Sequence, residues 1–366
     1  MTKVLTLVGT RPELIKLSLV IGELDRQFKH VLVHSGQNYD FELNEVFFED
    51  LKIRRPDHFL EAAAPTPAAT IARVIERIDS VLELERPDAF LVLGDTNSAL
   101  ATIAAKRRRV PVFHMEAGNR CFDDRVPEEV NRRIVDHISD INLVYTEHAR
   151  RYLLAEGVRP ETVIKTGSPM REVLATFAAS IDASSVLARL DLAPGSYFVA
   201  SAHREENVDD PSRLLTLVST LETLAATYGK RVVFSVHPRT RARLESAQIA
   251  AAVQLIKPLG FFDYVKLQRE AFCVVSDSGT LTEEAAILGF PAVMLRETHE
   301  RPEGMDEATV VMAGIERGRV IEAVRIVHSH RATPPRAPAD YEAADVSRKV
   351  ARIIASHIDF IRRTVY

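Results

Sequence analysis

The chain has 366 residues, 46% of them hydrophobic, and a formal net charge of −4, so two ordinary domains are favoured and no global basic field exists to draw in nucleic acid. Its two cysteines, Cys121 and Cys273, are too far apart in sequence for a CxxC pair, which points away from a zinc site or disulfide framework and toward a reducing compartment. No apolar run approaches the roughly 20 residues of a membrane span, and the opening Lys-Val-Leu-Thr-Leu-Val-Gly reads as strand rather than signal peptide, so a soluble cytoplasmic chain is expected.

Strands and helices alternate almost throughout, the pattern of a parallel sheet covered on both faces. Val4 to Val8 runs into Gly9-Thr10-Arg11-Pro12-Glu13. Thr10 and Glu13 have capping-box spacing for a helix carrying Leu14, Leu17, Val20 and Leu24. That turn would aim helix N–H groups and Arg11 at the end of the sheet, as a phosphate seat or simply as a well-capped helix. No GxGxxG occurs, which disfavours a dinucleotide cofactor. His30 to Gly36 forms the next strand and is followed by Gln37-Asn38-Tyr39-Asp40. The helix Ala68 to Glu85 leads into the strand Ala89 to Leu93 and then Gly94-Asp95-Thr96. Asp95 therefore faces the crevice where open α/β sheets bind ligands, although the position also suits an N-cap for a helix from Ser98 to Lys106.

The strand Pro111 to Met115 ends on Glu116, and after the loop Asn119 to Val126 a helix opens at Pro127. Val130, Ile134, Ile138 and Ile141 predict its apolar stripe, while Glu128 and Arg132, four apart, share one face. Strands at Ile141 to Tyr145 and Val163 to Thr166 each precede a helix. Ala179 to Ser196 then loosens into Ala, Ser, Asp, Pro and Gly, the composition of an interdomain linker. A second series follows, with strands at Tyr197 to Ser201, Arg231 to Val236, Val253 to Ile256, Cys273 to Ser276 and Pro291 to Leu295. The last helix, Val346 to Tyr366, is amphipathic on Val350, Ile353, Ile354 and Ile358.

Polar clusters gather at the strand ends of this second half: His203-Arg204-Glu205-Glu206-Asn207, His237-Pro238-Arg239, and Ser278-Gly279 at a helix start with Glu284 behind it. Such a start offers N–H groups to a phosphate, and a carboxylate behind it can accept from a ribose. The fold expected is α/β, two doubly wound Rossmann-like domains with an interdomain cleft. Residues 1–178 with the helix 345–366 form the first, and 179–344 the second, nucleotide-binding one. The carboxylates Asp95, Glu116 and Glu128 would then work on a sugar attached to the diphosphate.

Gly9-Thr10-Arg11-Pro12-Glu13, Gly94-Asp95-Thr96, Met115-Glu116-Ala117-Gly118, Pro127-Glu128-Glu129 with Asn131-Arg132, His203-Arg204-Glu205-Glu206-Asn207, His237-Pro238-Arg239, Asp277-Ser278-Gly279 and Glu300-Arg301-Pro302-Glu303 occur in that order. Together the set resembles the non-hydrolysing UDP-N-acetylglucosamine 2-epimerase family, from Val4 to beyond Gly314. The resemblance implies a glycosyltransferase-B-like fold and inversion at C2 of a UDP-2-acetamido sugar, by elimination of UDP to a 2-acetamidoglycal and its re-addition. It implies Asp95, Glu116, Glu128 and His203 as catalytic residues. It implies Arg11, Lys16, Arg132, His237, Arg239, Phe261, Ser278, Gly279, Thr280, Glu284 and Arg296 as contacts of the UDP-sugar. No metal or other cofactor, and a homodimeric state, go with it. The compact loop Asn119 to Val126, Gln37-Asn38 and Lys257-Pro258-Leu259-Gly260-Phe261 are closer to a subgroup forming UDP-N-acetyl-L-fucosamine for surface polysaccharides. A hydrolysing epimerase that releases UDP, or a glycosyltransferase of the same fold, remains an alternative.

Overall fold

The computed structural model describes residues 1–37 and 41–366, with the side chains of 41–45 and 239 set apart; Asn38, Tyr39, Asp40 and the Arg239 side chain thus lie outside the described residues. The chain divides into two compact units, Met1–Thr176 with Ala339–Tyr366, and Phe177–Pro338. The first contains strands β1 (Lys3–Val8), β2 (Lys29–His34), β3 (His58–Phe59), β4 (Ala89–Leu93), β5 (Val112–Met115), β6 (Ile141–Val144) and β7 (Val163–Lys165). They pair in the order β3-β2-β1-β4-β5-β6-β7. The second contains β8 (Tyr197–Ser201), β9 (Arg231–Ser235), β10 (Gln254–Ile256), β11 (Cys273–Ser276), β12 (Ala292–Met294) and β13 (Val311–Met312), in the order β10-β9-β8-β11-β12-β13. Every pairing is parallel.

Parallel strands are covered on both faces, so they read as continuous apolar runs. In the first unit Leu5, Leu7, Val31, Val33, Phe90 and Val92 pack beneath the helix Pro67–Glu85 through Val74, Ile78 and Leu82. The final helix, Val346–Thr364, buries Val350, Ile354, Ile358 and Ile361 and packs on the helix Arg11–Gln27 of the same unit. In the second unit Phe198, Ala200, Val232 and Phe234 pack with Leu214, Leu217 and Leu221 of the helix Pro211–Tyr228. Among the described residues no helix is long and apolar enough to cross a membrane.

Both sheets reverse strand order at their first strand, between β1 and β4 and between β8 and β11. Loops leaving such neighbours diverge to opposite faces, opening a crevice at the strands' carboxyl ends. Gly9–Arg11 and Gly94–Thr96 bound the crevice in the first unit; Ser201–Arg204 and Ser276–Gly279 bound it in the second.

Three local expectations are corrected. The helix Pro127–Ile138 buries Glu129, Asn131, Arg132, Val135 and Asp136, whereas Val130 and Ile134 are 47% and 39% exposed. Ile141 lies beyond the helix and opens β6, and the inward face is polar because cations and carboxylates there neutralise one another in pairs. After Gly94 the chain enters a 3-10 turn, Asn97–Ala101, before the short α-helix Thr102–Arg107. The supposed linker Ala179 to Ser196 folds into two short helices, Ala178–Ala183 and Val186–Arg189, with Val186 buried in the second unit's core.

Candidate active site

In the first unit, Gly94 turns the chain with a left-handed φ of 73°, and Asp95 follows it. Asp95 does not cap the 3-10 turn, whose N-cap is Thr96. Its Oδ2 instead accepts from Arg132 Nη2 at 2.6 Å and Nε at 3.0 Å. Arg132 also reaches Glu129 Oε2 at 2.5 Å, and Asn131 Nδ2 donates to the Asp95 carbonyl at 2.9 Å. One turn of helix after Pro127 thus clamps both backbone and side chain of Asp95. Glu129 is fully buried; burial opposes its ionisation, but amide and thiol contacts from Cys121 and the Arg132 guanidinium hold its carboxyl below the usual range.

Glu116 adopts a left-handed φ of 64°, rare for a side chain of its type. Its Oε2 accepts from Lys16 Nζ at 2.5 Å, with Lys16 only 3% and Glu116 12% exposed. Glu128 is half-buried in the first turn of its helix. Beneath the β1 turn, Glu13 accepts from Gly9 N, from Thr10 N at 3.2 Å and from Thr96 Oγ1 at 2.7 Å. Burial pushes its carboxyl up to about 7 against those hydrogen bonds. It ties the turn carrying Arg11 to the turn carrying Asp95.

The second unit arranges its crevice around Asp277, which is 0% exposed. Asp277 accepts from His203 N at 3.1 Å, Arg204 N at 3.0 Å and Asn207 Nδ2 at 3.1 Å, and lies 3.2 Å from His203 Nδ1. Burial resists its ionisation, yet the neighbouring His203 and these donors keep its carboxyl below the ordinary range. The His203 ring remains 48% exposed at the mouth. The β11 turn is constrained in the same way. Ser276 Oγ takes the Ser278 N–H at 3.0 Å, so that N–H is not bare as the sequence pattern implied. Ser278 Oγ meets Thr280 Oγ1 at 3.1 Å.

At Gly279 an added Cβ would stand 2.5 Å from Glu300 Oε1, so the Glu300 side chain would have to shift. Glu300 in turn accepts from Arg296 Nη1 at 2.8 Å. Arg296 is 1% exposed, and its Nε and Nη2 have no hydrogen-bond partner among the described residues, although Glu206 Oε1 lies 3.7 Å from Nε. Orphaned buried donors of this kind fit a bound anion. Glu284, 7% exposed, accepts from buried Gln268 at 2.8 Å, and Phe261 is 3% exposed behind Gly260 at the start of a helix.

The structure therefore brings Arg11, Lys16, Asp95, Glu116, Glu128 and Arg132 to the strand ends of the first unit. It brings His203, His237, Ser278, Gly279, Thr280, Glu284 and Arg296 to those of the second. Sequence reading gave no site role to Glu129, Gln268 or Asp277, and gave Glu13 only its part in a capping box. Glu13 had a signal in its capping-box spacing, and Asp277 in opening a polar turn after a buried strand. Glu129 and Gln268 had none, because Glu129 is defined by how Cys121 and Arg132 fold around its carboxylate and Gln268 by Glu284, 16 residues further on.

A family model described as UDP-N-acetylglucosamine 2-epimerase matches residues 22–355. A UDP-N-acetylglucosamine 2-epimerase structure from Rickettsia bellii is 52% identical, covers 100% of this chain and 99% of its own, and superposes with a TM-score of 0.92. The Methanocaldococcus jannaschii UDP-GlcNAc 2-epimerase, solved in complex with UDP-GlcNAc and UDP, is 31% identical over 97% of this chain and 100% of its own, with a TM-score of 0.91. A UDP-2,3-diacetamido-2,3-dideoxy-D-glucuronate 2-epimerase from Pseudomonas aeruginosa is 35% identical, over 88% of this chain and 91% of its own.

Proposed function

The chain belongs to the UDP-N-acetylglucosamine 2-epimerase family and is an isomerase, and from that premise we propose that it inverts C2 of a UDP-2-acetamido sugar without hydrolysing it. The C2 proton of such a sugar has no adjacent carbonyl, so direct abstraction would leave an unstabilised carbanion. Expelling UDP avoids this. A carboxylate takes the C2 proton as the C1–O bond breaks, the bonding pair leaves with the diphosphate, and a C1=C2 double bond remains. Re-addition of UDP at C1, with a proton delivered to the opposite face of C2, completes inversion. The first unit has the carboxylates for both proton transfers in Asp95, Glu116 and Glu128. The second has His203, the Ser278–Thr280 turn and Arg296 for the departing diphosphate, and Glu284 for the ribose.

The observation that carries this reading is the charge pattern at the first unit's crevice. Asp95 and Glu116 are each oriented by their own buried cation, Arg132 and Lys16. A glycosyltransferase has no use for such a set on the donor's sugar side. Proton NMR in D2O, with a panel of UDP-2-acetamido sugars and no acceptor, tests it. Deuterium entering C2, inversion there and no net loss of nucleotide sugar are expected. Stoichiometric UDP and free sugar would identify a hydrolysing enzyme, and inertness without an acceptor a transferase.

The compact loop from Asn119 to Val126 supports a 6-deoxy substrate, UDP-2-acetamido-2,6-dideoxy-L-talose, made in the cytoplasm into UDP-N-acetyl-L-fucosamine for surface polysaccharide. In the NMR panel that sugar should then turn over fastest. The exposed Val130 and Ile134 on the outer face of their helix support a homodimer. The double substitution Val130→Asp, Ile134→Asp should convert it to monomer in analytical ultracentrifugation.

A further inference from the structure

Beneath both turns of the first unit lies a group of buried charges that the proposed chemistry does not use. His114 on β5, Arg120 in the following loop and Asp136 on the helix Pro127–Ile138 all have side chains 0% exposed. Asp136 is the centre of the group. Its Oδ1 lies 2.9 Å from His114 Nδ1, an ion-pair approach whose angle makes no hydrogen bond, its Oδ2 accepts from Arg120 Nη1 at 2.6 Å, and both oxygens take the Gly118 N–H at 3.1 Å. His114 Nε2 stands 2.8 Å from the Gly94 carbonyl. A carbonyl only accepts, so that nitrogen carries a proton and donates it. Arg120 is held from its far side by Glu156 at 2.8 and 2.6 Å, and Glu156 meets His137 Nε2 at 3.0 Å.

Buried ion pairs are weak evidence for stability, since apolar residues of like volume often serve as well. What this group touches gives the better reason for it. Gly94 immediately precedes Asp95, and Gly118 follows Glu116 by two residues. Glu116 and Gly118 both have left-handed φ, 64° and 80°. For Glu116 that conformation persists only where its surroundings over-determine it. The Gly94 N–H is bonded in turn to the Met115 carbonyl at 2.9 Å, which links the two turns directly.

We propose that Asp136 is a positioning residue: through His114 it fixes the Gly94 carbonyl, and through the Gly118 N–H it fixes the left-handed turn. One carboxylate thereby sets the spacing of Asp95 and Glu116. The inference rests on the reading of those two as acid–base groups. Asp136 and His114 are fully enclosed and act on the reaction only through the backbone they hold. A displacement of about 1 Å in catalytic geometry costs about 100-fold in rate.

Three variants test this. Asp136→Asn keeps the size and removes the charge. His114→Phe keeps the ring volume and removes the donor, and His114→Gln restores an N–H near the Nε2 position. Asp136→Asn and His114→Phe should lower kcat by about 100-fold, with KM, UDP affinity by calorimetry and the limbs of the kcat–pH profile unmoved. His114→Gln should regain most of the rate. In Asp136→Asn the Gly118 amide should exchange faster with D2O by mass spectrometry, whether or not substrate is present. A folded His114→Phe with wild-type kcat, a His114→Gln no better than the Phe variant, shifted pH limbs, or unchanged Gly118 protection would each overturn the positioning role. Failure of the functional reading is distinct. In that case wild-type protein exchanges no C2 proton with any sugar of the panel, or Asp95→Asn and Glu116→Gln retain full rate.

Discussion

The two crevices share a topology, each at the reversal of strand order in a parallel sheet, yet Asp95 and Glu116 in the first stand in a different setting from Asp277 in the second. In the first unit Asp95 and Glu116 remain partly accessible, 25% and 12%, each steadied by a cation behind it. In the second, Asp277 is wholly enclosed and is used up on backbone N–H groups of the β8 turn, while Glu300 and Glu283 hold Arg296 and Arg301. A carboxylate steadied by a cation and still partly accessible can exchange a proton. One saturated by three donors and buried can only shape the backbone. On the proposed reading, the same turn chemistry builds a reactive edge in one unit and a holding edge in the other.

The sharpest way to break this contrast is to neutralise the reactive edge. Asp95→Asn, Glu116→Gln and Glu128→Gln should each cut turnover by at least about 100-fold, the scale of a general acid or base. UDP affinity measured by calorimetry should survive. Near-normal rates in all three would remove the distinction between the edges.

Changes at the holding edge should give the reverse result. Gly279→Ala places a methyl against Glu300 and so disturbs Arg296. UDP affinity should fall about 10-fold, roughly 1.4 kcal/mol, while kcat at saturation changes little. Arg296→Leu removes the orphaned donors and should weaken UDP to a similar degree. A loss of kcat with intact UDP binding in either variant would show that the second crevice takes part in the proton transfers.

The smallest effect concerns Glu13. Burial raises its carboxyl to about 7 from 4.5, so between those values the folded protein holds a proton that the unfolded chain has released. Its contribution favours the folded state fully below about pH 4.5 and is lost as pH rises through about 7. Glu13→Gln should therefore flatten the dependence of unfolding free energy on pH between about 4.5 and 7 in urea titrations. An unchanged slope would mean that the clasp between the two turns does not titrate in that range.

Much of the architecture was legible from the chain because its signals are local. Apolar runs of strand length, the Pro at a helix start and the Thr10–Glu13 spacing each depend on neighbours within a few residues. They placed nearly every long strand and the turns that carry Asp95, Glu116 and Ser278. Brief elements such as β3 and β13, two residues each, are too short to carry a period and went unread.

What the sequence by itself determined is the alternation of strand and helix, and which polar residues stand at strand ends, since both follow from periodicity and turn chemistry. Only the tertiary structure decided which face of Pro127–Ile138 points inward, because apolar spacing does not report that Asp95, His114 and Arg120 wait on the other side. It also decided that Asp95 serves Arg132 rather than a helix cap, and that Asp136 reaches both turns at once. Those pairings join residues 16 to 37 apart in the chain, and the free energy of burying a charge depends on the partner that folding delivers.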